Sequence, residues 1–256
     1  MERGSVLIKA EYQIINAIKK RLCKGNVDNI SRTEFYYHFY KQHPEIRWAL
    51  LASAVSRNAG WNMTDLESNW FKRMVSKDYR NIVFMTYERA NWLIFEDAYP
   101  QLLIYEASKR LGVPLFHLLT NFHVSNFMVE EWSRFWEVPE IERLCIALII
   151  NEQHVIQKPV IDHPFYKQKV FHSFPFFLED FFHYSAVIFP TMKGKLYGCT
   201  VSKFTDVSER IELGKRLMWL LFSFSEKEEM HQFLSCLLYT SPSPRDRTRS
   251  RMPSSA

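Results

Sequence analysis

Residues 31–66, SRTEFYYHFYKQHPEIRWALLASAVSRNAGWNMTDL, constrain the fold more than any other stretch. Ser31 and Glu34 stand at capping-box spacing, in which a hydroxyl and a carboxylate satisfy orphan backbone N–H groups at a helix start. A helix beginning there carries the aromatic set Phe35, Tyr36, Tyr37, Phe39 and Tyr40. Pro44 suits a first helical position, where its missing N–H would be unbonded anyway. It opens a predicted helix over 44–59, which Gly60 is expected to stop. At the helical period, Trp48, Leu51, Ala52 and Val55 share one apolar arc of that helix. Ala49, Ser53, Ser56 and Arg57 share another, with side chains small enough to admit a close neighbour. Thr64 and Glu67 repeat the capping-box spacing and predict a further helix to about residue 74.

The same logic runs through the rest of the chain. Only 7 of 256 residues are glycine and 16% are aromatic, which favours long packed helices over turn-rich β-structure. Helices are predicted over 5–24, 78–98, from Pro100 to Gly112, over 124–136, 139–154 and 176–188, and from Asp206 or Ser208 to Phe222. The run from Leu144 to Ile150 is almost wholly apolar, as a central buried helix requires. Pro159, Pro164 and Pro175 break residues 157–175 into turns. Residues 192–205, with Gly194 and Gly198, are the one place with room for a short β-hairpin. No internal repeat or long linker divides the chain. The expected fold is an all-α, single-domain globule of about eight to ten helices over residues 1–235.

Residues 236–256, CLLYTSPSPRDRTRSRMPSSA, are expected to be non-native and disordered. Their codons back-translate through a transposase-end sequencing adapter and then a flow-cell end, so they are excluded from fold reasoning. The natural chain is then expected to continue beyond Ser235 in a C-terminal portion missing here. The tail holds Arg245, Arg247, Arg249 and Arg251 against Asp246; without it the formal charge falls from +5 to +2. A whole-protein nucleic-acid footprint is not supported at that charge. Cys23, Cys145 and Cys199 show no CxxC spacing and read as reduced, mostly buried thiols. The longest apolar runs, Leu144–Ile150 and Leu217–Phe222, are too short to span a bilayer, and no signal peptide is visible, so the protein is expected in the cytoplasm.

Several segments together, HPEIRWALLASAVSRNAGWNMTDL, ERANWLIFEDAYPQLLIYE, PLFHLL, FHVSNFM, ALIINEQ and RIELGKRL, resemble the YppC-like family of bacilli, a domain of unknown function. The resemblance covers residues from about 25 to 225 in the same order. It implies a cytoplasmic, mainly helical bacterial protein and transfers no activity, cofactor or catalytic residue.

The strongest candidate site is a polar set, Arg57, Asn58, Asn62 and Asp65, meeting Glu88, Arg89, Glu96 and Asp97 from the helix over 78–98. Arg89 and Glu96 fall on nearly the same arc of that helix. Carboxylates beside an arginine and amides suit a polar ligand, and burial raises a carboxylate toward general-acid range. The competing reading is an internal ion-pair and capping network, and it is preferred. No metal site is expected, because the histidines form neither HExxH nor paired Glu-x-x-His motifs, and no cofactor is expected either. No GxSxG elbow or phosphate-binding loop is present, and Cys145 lies in an apolar run where a thiol is inert. Lys19, Lys20, Arg21, Lys24 and Arg32 form a local basic patch, and the aromatic stretch 171–189 reads as core. The reading favoured is a non-catalytic protein that binds a partner or small-molecule ligand. The alternatives are an enzyme using the Arg/Asn/carboxylate set on a small anionic substrate, and a nucleic-acid-associated protein using the basic N-terminal helices.

Overall fold

The long helix α1 (Glu2–Gly25) is followed by α2 (Asn29–Gln42), α3 (Arg47–Asp65), the short α4 (Asn69–Met74) and the 35-residue α5 (Lys77–Leu111). A 3-10 segment, Phe116–Phe122, leads into α6 (Asn126–Glu137) and α7 (Ile141–Ile156). Residues 157–171 form two wide π-turns around a single turn at Pro164–Tyr166, as the prolines there predict. Strands β1 (Ala186–Pro190) and β2 (Leu196–Thr200) precede α8 (Val207–Phe222) and α9 (Lys227–Cys236). The computed structural model describes residues 2–173, 176 and 186–236, with the side chains of residues 2–9 and 236 left aside. The fold is all-α with one short antiparallel hairpin, in which Ile188 pairs with Gly198.

Local chemistry sets the helix ends, though not always at the residues expected. The cap of α2 is Asp28, whose carboxylate accepts from the Ser31 backbone N–H; Ser31 itself lies in the first turn. Pro44 stays outside α3, and α3 runs through Gly60 to Asp65. A glycine inside a helix costs about 1 kcal/mol relative to alanine. Here it makes room, because a Cβ at residue 60 would stand 2.8 Å from Asn29 Nδ2. Thr64 is a buried member of α3, its hydroxyl donating to the Gly60 carbonyl, and Ser68 caps α4 instead.

Pro100 does not divide α5. A proline inside a helix removes one backbone donor and costs about 3 kcal/mol. The turn around it is buried on every side: Phe95, Ala98, Tyr99, Leu102, Leu103 and Ile104 all lie in the core. Tertiary packing therefore overrides the local stop, and Gly112, at φ +70°, ends the helix. The hairpin begins earlier than expected, so residues 186–188 are strand rather than helix. The remainder of the helix predicted over 176–188 lies outside the described residues, apart from Phe176. The helix α9 was not anticipated.

The small-residue arc of α3 packs against α2 through hydrogen bonds. Ser53 Oγ donates to the Thr33 carbonyl, Asn29 Nδ2 to the Ser56 carbonyl, and Ser56 Oγ to Asn29 Oδ1. The opposite arc, led by Trp48, Leu51 and Ala52, enters the main core with α5, α6, α7 and α8. A second, smaller apolar cluster forms where the turns over 157–171 cover α5: Ile156, Val160, Ile161, Val170 and Phe171, with Val83 and Ile94 packed against them. No helix among the described residues is long and apolar enough to cross a membrane.

Candidate functional site

The residues singled out in the sequence occupy several environments. Arg57 is buried on α3 and reaches across to donate to the Leu234 carbonyl of α9; its Nε and Nη1 have no hydrogen-bond partner. Asn58 clamps the hairpin, donating to the Ile188 carbonyl and accepting from the Ile188 N–H, both at 2.9 Å. Asn62 and Asp65 are exposed on the last turns of α3. Arg89 is exposed too, its guanidinium 5.2 Å from the centroid of the Trp92 ring rather than on Glu96. Glu88 and Glu96 belong to a different arginine. Arg32 on α2 pairs with Glu88 at 2.5 Å, and its Nη1 donates to Asn26, whose amide in turn donates to Glu96. Arg32 is 1% exposed, which removes it from the basic surface formed by Lys19, Lys20 and Lys24.

Asp97 anchors a network of its own. Its Oδ2 accepts from Gln101 Nε2 and Asn151 Nδ2, both at 2.6 Å. Gln101 accepts from the Trp132 indole, and Asn151 accepts from Ser125, the N-cap of α6. One carboxylate thus ties α5, α6 and α7 together. Burial raises its pKa to about 6, against the lowering effect of the two amide donors.

A second carboxylate, the half-buried Glu152 of α7, was not among the candidate site residues. Glu152 Oε2 accepts from the Trp48 indole and Oε1 from Gln153 Nε2. Burial pushes its pKa to about 7, and no cation contacts it among the described residues. Gln153 continues the chain, its Oε1 accepting from Arg210 Nε. Arg210 is 3% exposed and donates also to Gln157 and the Phe204 carbonyl, again without a carboxylate in contact among the described residues. Desolvation lowers its pKa to about 10, which leaves it charged at neutrality.

Glu152, Gln153 and Arg210 border a cavity of about 230 Å³. Leu51, Val55, Leu213 and Leu217 bound it on the side of the main core, and Val83, Ile156, Val160 and Phe171 on the side of the smaller cluster. It lies where the two apolar clusters face each other without closing. Arg32 and Tyr36 line it from α2, and Asn58 and Asn62 from α3. The predicted set is therefore represented in this cavity by Asn58 and Asn62, whereas Arg57, Asp65, Arg89 and Glu96 are not among its lining residues.

The family model described as "Protein of unknown function (DUF2515)" matches residues 24–254. The chain belongs to the DUF2515 family. It is 51% identical over 232 residues to "Uncharacterized protein YppC" of Bacillus subtilis (strain 168), covering 91% of this chain and 72% of that protein. No solved structure matches it at a significant level. The DUF2515 match runs past Cys236 into the stretch read above as adapter. Among the described residues of this DUF2515 chain, no group of three or more His, Cys, Asp or Glu side chains is placed to hold a metal ion. Cys145 is buried, its thiol pushed up to about 12, whereas Cys23 is exposed, contrary to the expectation of mostly buried thiols.

The cavity residues escaped sequence reading for a physical reason. Trp48 and Glu152 lie 104 positions apart, and Gln153 and Arg210 lie 57 apart. Nothing local marks either pair. The available signal was weak: a Glu-Gln dipeptide following the apolar body of α7, and an arginine four residues after the aspartate that caps α8.

Proposed function

We propose that this protein is a non-catalytic, cytoplasmic ligand-binding protein whose cavity takes a small, mainly apolar molecule. The observation that carries the reading is the pocket of about 230 Å³ lined by residues of both apolar clusters. Protein interiors pack to the density of organic crystals, and gaps much larger than a water molecule are few. Apolar walls with a few buried polar groups are the common makeup of ligand pockets. Catalysis has less support, because Glu152 and Ser56 on the wall are already hydrogen-bonded within the protein. Glu152 holds Trp48 and Gln153, and Ser56 holds Asn29 and Thr33.

A cavity of about 150 Å³ holds benzene, so this one suits a body of roughly nine or ten non-hydrogen atoms. Octan-1-ol is a fair probe. Thermal unfolding with increasing octan-1-ol should show a saturable rise in Tm, because a ligand that binds only the folded state stabilises it. Val55→Phe, which places a ring in the cavity, should fold with an equal or higher Tm and lose the response. A wild-type protein with no saturable shift, or a filled variant that responds equally, rules the reading out.

A further inference from the structure

We infer that the ligand's polar end is a carboxylate held at Arg210; the inference rests on the ligand-binding reading above and assigns the chemistry of that same cavity. The wall has three charged side chains. Arg32 is neutralised by Glu88. Glu152 and Arg210 are kept from direct contact by the Gln153 amide, which bonds to both. Arg210 donates to two glutamine side-chain oxygens and one backbone carbonyl, all neutral acceptors. A guanidinium has five N–H donors in a planar fork, so two remain beyond those three bonds.

The wall is also rich in unused donors. Tyr36 Oη and Arg32 Nε are both buried with no hydrogen-bond partner, and both residues line the cavity. An acceptor-bearing anionic group answers this pattern, because it accepts from the spare donors and directly compensates an arginine on which Asp206 and Asp162 act only without contact. Glu152 opposes an anion only while ionised, and its burial eases that opposition by favouring the protonated form. An ammonium ligand would face the reverse: two arginines, a donor-rich wall, and a glutamate whose oxygens already accept from Trp48 and Gln153. The occupant is therefore a monocarboxylic acid of roughly nine or ten non-hydrogen atoms in all, most of them in an apolar body.

The test is a head-group series, octanoate, octan-1-ol and octan-1-amine, titrated calorimetrically into the full chain near neutral pH. Octanoate should bind about tenfold more tightly than octan-1-ol, the size expected of a charge-assisted hydrogen bond, and octan-1-amine more weakly than either. Arg210→Met should bring octanoate down to the affinity of octan-1-ol while leaving octan-1-ol binding in place. Arg210 also ties α8 to the end of α7, so that variant is first checked for folding; the wild-type series stands without it. Octanoate binding no tighter than octan-1-ol, octan-1-amine binding tightest, or a folded Arg210→Met variant that keeps the preference overturns the carboxylate assignment and leaves the cavity reading intact. If no member binds, the cavity reading itself falls.

Discussion

Asp97 shows how a single side chain couples burial to pH. Its folded pKa lies near 6 while that of an exposed aspartate is 3.8, so the folded state keeps the proton longer. Stability from this group is fully present below the unfolded value and is lost as pH rises through about 6. At 1.36 kcal/mol per unit, the loss between acid and neutral pH is on the order of 2–3 kcal/mol. Both amide donors bond to the same oxygen, so Asp97→Asn preserves both contacts and removes the charge. Urea unfolding across this range should show the wild type losing that increment with rising pH and the variant losing much less. An unchanged pH slope in Asp97→Asn would show that the residue titrates as if exposed. Asp97 was legible as a buried polar residue because its neighbours Trp92, Leu93, Ile94 and Phe95 are apolar. Its partner Asn151 was not, since it lies 54 positions away. The same holds for Arg32, which resembles the basic residues around it in sequence and is buried only because α5 brings Glu88 to it.

The elements are held together by close approaches and backbone clamps more than by ion pairs. Gly214 lets α8 lie directly on α7: a Cβ there would stand 2.6 Å from Ile149 Cγ2. Ile149 is fully buried and β-branched, so its side chain has few alternative rotamers. Gly214→Ala should therefore lower stability by about 1–3 kcal/mol through overpacking, against a propensity gain of about 1 kcal/mol. Denaturant titration of Gly214→Ala, Ile149→Ala and the double variant should give a positive coupling, with the alanine at 149 absorbing most of the clash. Strict additivity would contradict the close approach. Asn58 plays the complementary part for the hairpin, substituting its amide for a strand edge at Ile188. Asn58→Ala should cost about 1–3 kcal/mol and speed amide exchange in β1 and β2 before the helices. Uniform exchange across the fold would mean that the hairpin is held by other contacts. Helix identity was legible at this scale, from apolar spacing and caps such as Asp206 at α8. Helix limits were less so: Gly60 and Pro100 carry local stop signals that burial overrules, and the true cap of α2 sits at Asp28, three residues before the hydroxyl that mimicked one.

At the scale of the whole molecule the organising fact is a core in two parts. The large cluster forms around α3, α5, α6, α7 and α8, and the small one where the π-turns over 157–171 cover one face of α5. The cavity is the seam between them, and its polar wall is built where α2, α7 and α8 meet. Fold class follows from composition and period, which are properties of the chain at short range. A seam between clusters depends on how well distant surfaces match, and no short-range pattern encodes that. This explains why Glu152, Gln153 and Arg210, which line the seam, were not singled out in the sequence.

Methyl-resolved NMR shows directly whether a small molecule occupies the seam. With the isoleucine, leucine and valine methyl groups labelled, octan-1-ol is added stepwise to the full chain. Saturable shifts are expected at Leu51, Val55, Val83, Ile156, Val160 and Leu217, which line the seam from both clusters. Little movement is expected at Leu102, Ile104 and Leu119, which lie in the main core and outside the cavity lining. Shifts that fail to saturate, or that appear away from the seam, would contradict ligand binding there.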